Sequence, residues 1–199
     1  MTMSGNAQAS VLAAVEARNH PALEQALASG DAVEERNDSG QTPLLVAVWN
    51  DDFEAARLLI AAGADVNAKD NIKDSPYLVA GAHGRVEILR LILANGADLA
   101  STNRFGGTAL IPAAEKGHPE AVELLIAAGV DIDHINDLGW TALLEAVLLT
   151  DGGPVAQRIV KTLLDAGADR TIPDFEGRTS LDHARARGFA EIAAMLEAK

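Results

Sequence analysis

Residues 40–48 read GQTPLLVAV, and near-copies follow as KDSPYLVAG at 73–81, GGTALIPAA at 106–114, GWTALLEAV at 139–147 and GRTSLDHAR at 177–185. Aligned on Thr42, Ser75, Thr108, Thr141 and Thr179, they are spaced by 33, 33, 33 and 38 residues. A second marker keeps the same beat: GADVN at Gly63, GADLA at Gly96, GVDID at Gly129 and GADRT at Gly167, spaced by 33, 33 and 38. One step of 33 back from Gly63 reaches Gly30 in LASGDAV, a degenerate first copy. A fixed period of this size marks a repeat array. The spacing predicts six units, about 7–36, 37–69, 70–102, 103–135, 136–173 and 174–199, forming one domain after a flexible stretch 1–6.

Each unit has a physical reading. Thr42 before Pro43 is a helix start: a hydroxyl N-cap, then a residue whose missing N–H costs nothing at the first helical position. Ser75-Pro76 repeats it. Leu44 and Ala47 then share one face of a short helix. A turn follows, clearest in AEKGHP at 114–119, and then a second helix such as 120–128. Its Leu124 and Leu125 correspond to Leu58/Leu59 and Leu91/Ile92. Gly63, Gly96, Gly129 and Gly167 fall where a helix needs a left-handed closing residue. No unit has enough apolar surface to fold alone; stacked units share an elongated core. The fold class expected is all-α.

Composition agrees. Hydrophobic residues make up 48% of the 199 but aromatics only 4%, so the core is built from Ala, Leu, Val and Ile, which suits thin, closely stacked helices. The absence of cysteine excludes disulfides and a thiol nucleophile. A net charge of −13 disfavours nucleic acid and anionic membranes as partners. No segment reaches the roughly 18 apolar residues needed to cross a bilayer. The opening MTMSGNAQASVLAAVEARN lacks the basic start of a signal peptide, so the cytoplasm is the expected compartment.

In its G-x-T-P/A-L…A openings and L-L-x-x-G-A-D closings, the chain resembles the ankyrin repeat over about residues 7–199. The resemblance implies paired antiparallel helices joined by β-turn fingers, in a non-enzymatic module that binds a partner protein on its concave finger and first-helix surface. One departure recurs. The family's usual His after the Leu is replaced by Leu45, Leu78, Ile111, Leu144 and Asp182. The Thr–His bond that the family makes is thereby lost, and apolar packing is expected in its place. The first unit, with Ala9 and Ser10 where later ones have Thr-Pro, and the polar last unit read as caps.

Catalytic chemistry finds little support. His118 belongs to a Gly-His turn, His20 precedes Pro21 in the equivalent turn, and His134 and His183 have no ligand partner at metal spacing. There is no P-loop, no dinucleotide-binding glycine motif and no G-x-S-x-G. No catalytic residue, metal or cofactor is therefore expected.

Mapped onto the surface that the resemblance implies, the candidate partner-binding residues are Trp49, Asp74, Arg104, Phe105, Glu115, Trp140 and Glu145. Trp49, Phe105, Trp140 and Phe175 are rare aromatics on surface positions, whereas Tyr77 takes a core Leu position. Glu145 stands in a column with Val46, Val79 and Pro112, a carboxylate where a basic group of the partner would be received. Pro112 lies in a first helical turn, where its missing N–H is nearly free. The leading expectation is a monomer that recognises a protein with basic character. A small-ligand or enzymatic pocket between Trp140, Glu145, His134 and the 150–154 insertion is an alternative; a self-associating scaffold is another. The 38-residue spacing places five extra residues in unit five, read as a longer first helix and an exposed turn.

Overall fold

The computed structural model describes residues 10–198; the stretch 1–6 expected to be flexible lies outside them. Among the described residues there are twelve helices and no strand, in six consecutive pairs. These are α1 (Val11–Glu16) with α2 (His20–Ala28), α3 (Pro43–Trp49) with α4 (Phe53–Ala61), and α5 (Pro76–Ala82) with α6 (Val86–Leu93). Then come α7 (Leu110–Glu115) with α8 (Pro119–Ala128), α9 (Ala142–Leu148) with α10 (Pro154–Asp165), and α11 (Ser180–Ala186) with α12 (Ala190–Glu197). Each first helix packs on its own second helix and on the first helices of adjacent units, and second helices do likewise, giving two layers with the core between them.

The helices start for local reasons. Ser10, Thr42, Ser75, Thr141 and Thr179 each accept the backbone N–H three residues on, at 3.2–3.3 Å. In the first unit the cap is Ser10, one residue later than strict period 33 places it, and Glu35 Oε1 fixes it by accepting from Ser10 Oγ at 2.6 Å and Leu12 N at 2.7 Å. In the last unit Asp182 answers Thr179 with a capping box. Leu45, Leu78, Ile111 and Leu144 in the same column are buried, so apolar packing does replace the missing histidines.

Thr108 breaks the pattern. Elsewhere the cap carbonyl accepts from the residue four on, as Thr42 O does from Val46 N at 3.0 Å. In unit four that residue is Pro112, which has no N–H. Thr108 O accepts from Ile111 N instead, at 3.3 Å, and the Thr108 hydroxyl, buried, is left without a partner. Pro112 does lie in the first turn, but its cost is a lost cap.

Close stacking follows from an alanine column. Ala47, Ala80, Ala113, Ala146 and Ala184, at matching positions of the first helices, are all fully buried. Leu59, Ile92 and Leu125 carry the same role in the second helices. Tyr77 fills a core Leu position with no exposure, and its hydroxyl has no hydrogen-bond partner. Burial with no compensating bond raises the phenol pKa above its ordinary value. A buried unsatisfied hydroxyl costs about 1–3 kcal/mol, so Tyr77→Phe is expected to raise the urea midpoint; a fall would overturn this account.

Unit five corrects the reading of its insertion. Helix α9 ends in the same register as α7 and is not lengthened. Three of the extra residues extend α10 at its N-terminal end, and two lengthen the turn before it. Ile159, Val160 and Leu163 keep the buried positions of Ala121, Val122 and Leu125, and Ala156 adds another. The turn is docked: Arg187 donates to Leu148 O and, at 2.8 Å, to Thr150 O. The Phe189 ring lies so close over Gly152 (φ 69°) that a Cβ there would come within 2.5 Å of it.

Candidate functional site

Between consecutive units the chain projects a finger whose turn is held by one Asx side chain. Asn37, Asp70, Asn103, Asn136 and Asp174 each accept, through Oδ1, backbone N–H groups two and four residues on. Neighbouring fingers are tied by Asn71 N donating to Ser39 O at 3.2 Å and Asp137 N to Phe105 O at 3.0 Å. The tips of three successive fingers carry Ile72, Phe105 and Leu138, which are 52%, 50% and 48% exposed.

Two adjoining clefts lie between these fingers and the first helices. The first, of about 270 Å³, is bounded by Trp49, Asp74, His83, Arg104, Phe105 and Glu115 among others. The second, of about 160 Å³, is bounded by Phe105, Glu115, Leu138, Trp140, Glu145 and Leu149 among others. Asn103, Phe105, Pro112 and Glu115 line both, making one groove. All seven residues selected from the sequence border it.

Their settings differ. The Trp49 ring meets His83 edge-on, with centroids 4.7 Å apart and planes at 64°. The Arg104 guanidinium lies 4.8 Å over the Phe105 ring and 3.8 Å from Asp74. Burial, with Asp70 nearby, raises the Asp74 pKa despite that cation. Phe175 is 79% exposed and stands outside both clefts, its ring over Gly139 of the preceding finger. The His134 ring bonds Gly106 O at 2.7 Å, away from Glu145, and residues 150–154 do not reach the second cleft. Of the groups assigned to the alternative pocket, only Trp140 and Glu145 share the second cleft.

Glu145 is 4% exposed. Asn136 spends its carbonyl oxygen on Leu138 N and Trp140 N, which leaves its amide to donate to Glu145 Oε1 at 2.8 Å. Burial, reinforced by the negative charge of Glu115, raises the Glu145 pKa to about 7. One unit on, the same two positions hold Asp174 and His183, 2.7 Å apart and both buried. Sequence reasoning missed both pairs. Their signal was present: each joins a finger Asx to the residue nine further on. Among the described residues no three His, Asp or Glu side chains are grouped to hold a metal, and no helix is long and apolar enough to cross a membrane.

Two layers of paired helices with hydrogen-bonded fingers over a side groove define a helical-repeat solenoid. The chain belongs to the ankyrin repeat family: the family model for three consecutive ankyrin repeats matches residues 77–174, and that for a single repeat matches 39–71. An ankyrin repeat domain of Acinetobacter baumannii AYE of known structure is 53% identical, with a TM-score of 0.89 over 92% of this chain and 93% of that one. The ankyrin repeat protein EF0377 is 47% identical, with a TM-score of 0.92 over 95% and 96%. The Escherichia coli K12 ankyrin repeat protein YahD is 50% identical over 52 residues, a span of 26% of each chain.

Proposed function

We propose that the chain is a non-enzymatic protein-recognition module, acting as a cytoplasmic monomer, that seats one segment of a partner protein along the groove from Trp49 to Trp140. The observation that carries this reading is the row of apolar residues Ile72, Phe105 and Leu138, half exposed on three adjacent finger tips, of which Phe105 lines both clefts and Leu138 the second. Two clefts of about 270 and 160 Å³ open side by side along one groove. They suit successive side chains of a peptide better than one metabolite. The hydrogen bonds between fingers hold the surface in place before binding, which lowers the entropy lost on association.

Selection of displayed peptides on the immobilised full chain tests this. Binders are expected to be recovered, and Trp140→Ala is expected to weaken them by roughly 30-fold or more, the loss typical of a central tryptophan anchor. Trp49→Ala serves as the second variant, with circular dichroism to establish that both fold. Recovery of no peptide, or of peptides indifferent to both substitutions, would overturn the proposal.

A further inference from the structure

We infer that the Glu145 cleft receives one basic side chain, a lysine or arginine, from the segment that occupies the groove; the inference rests on the protein-recognition reading above and specifies its chemistry.

The first observation is the column. At the position four residues after the cap, the middle units carry Val46, Val79 and Pro112, all buried. Unit five puts a carboxylate there and buries it as deeply. Isolated buried charge is costly, and departures from a repeat's own apolar rule are expected at functional positions.

The second is the missing counter-charge. A carboxylate offers about four acceptor sites, and Glu145 Oε1 takes one bond, from Asn136. The other charged group in the cleft, Glu115, has the same sign. Arg104 is engaged over Phe105 and beside Asp74 in the neighbouring cleft. One unit on, the residue of this column, His183, meets the finger carboxylate of Asp174 directly, at 2.7 Å. In unit five the corresponding partner is the uncharged Asn136.

The third is the shape of the approach. Phe105, Leu138, Trp140 and Pro112 wall the cleft above the carboxylate. Such walls suit the methylene stem of Lys or Arg, and the aromatic faces favour the cation. A neutral apolar side chain would fill the walls but leave Glu145 without a cation. An acidic one would meet two carboxylates.

A degenerate displayed peptide library, panned on the immobilised full chain and on Glu145→Gln, decides it. On the parent chain one fixed position is expected to enrich in Lys or Arg, flanked by apolar residues, and the two residues report separately as ammonium and guanidinium. On Glu145→Gln that enrichment is expected to vanish. A selected peptide is expected to lose about 30-fold in affinity for the variant, as when one member of a buried charge pair is removed. Its norleucine analogue is expected to lose affinity for the parent chain and to bind Glu145→Gln at least as well. Peptides selected without a basic position, or a basic preference that persists on Glu145→Gln, would overturn the cation site while leaving the groove reading intact. Failure to select any peptide would remove both.

Discussion

At pH 8, Glu145→Gln is expected to be more stable than the parent chain by about 3 kcal/mol. Glu145 titrates near 7 in the folded protein against 4.5 for an ordinary glutamate, and each unit of difference corresponds to about 1.4 kcal/mol. Because the folded pKa is raised, the folded state holds the proton over the window from about 4.5 to 7 while the unfolded chain has released it. Stability from this group is therefore full below pH 4.5, falls as pH rises through the window and is flat above it. Glutamine keeps the acceptor for Asn136 and has no proton to lose, so parent and variant are expected to converge at pH 4.5. The groups acting on Glu145 are Glu115 on α7 and Asn136 on the finger. Comparing the two proteins by thermal unfolding cancels the remaining titrations. For a chain of this size the gap at pH 8 corresponds to roughly 6–12 °C. Equal melting temperatures at pH 8 would show that the buried carboxyl carries no penalty. Together with the peptide selection, the experiment asks whether one residue weakens the fold and strengthens recognition.

Leu125→Ala is expected to cost about 2–5 kcal/mol, the range for truncating a fully buried leucine without collapse of the space left behind. Leu125 has no exposure, and it packs beside Gly81 of the preceding unit, where an added Cβ would lie 3.4 Å from its methyl. It therefore serves the interface between units as well as its own helix. In a solenoid each unit is stabilised by its immediate neighbours, so a lesion in unit four weakens the link between the two ends. The two tryptophans stand on either side of it, Trp49 in unit two and Trp140 in unit five. Single-tryptophan variants made with Trp49→Phe and Trp140→Phe are expected to report coincident urea transitions in the parent background and separated ones with Leu125→Ala. A loss below 1 kcal/mol would place the coupling elsewhere.

The repeat was legible because its punctuation is local. A hydroxyl that caps a helix and a glycine that closes one act within a few residues, so Thr42 and Gly63 announce themselves without knowledge of the fold. The errors arose where two local solutions compete. Five extra residues after Leu148 can enter a helix or a turn, and the outcome was set at the other end, by Ile159, Val160 and Leu163 holding their places in the core. Period alone put the first cap one residue early, because Glu35, more than twenty residues away, selects Ser10. The seven candidate residues were drawn from the surface that family resemblance implied, and all seven line the groove, among others. The Asn136–Glu145 and Asp174–His183 pairs were not, since each spans a finger and a helix that meet only when the chain closes. The orphaned hydroxyl of Thr108 was hidden likewise, as the consequence of a proline four positions away.

The Arg187 guanidinium on Leu148 O and Thr150 O, with Phe189 over Gly152, also bears on how such an array changes by gain and loss of units. Units two to four share one spacing and one turn, and a recombination that doubled or dropped one of them would present each neighbour with a familiar face. Unit five has a longer α10 and a turn shaped to the arginine and phenylalanine of unit six. Separated, five would leave its enlarged turn uncovered and six would present side chains with nothing to clasp. The arginine and the phenylalanine thus make units five and six depend on each other, where units two to four meet through one shared spacing and turn.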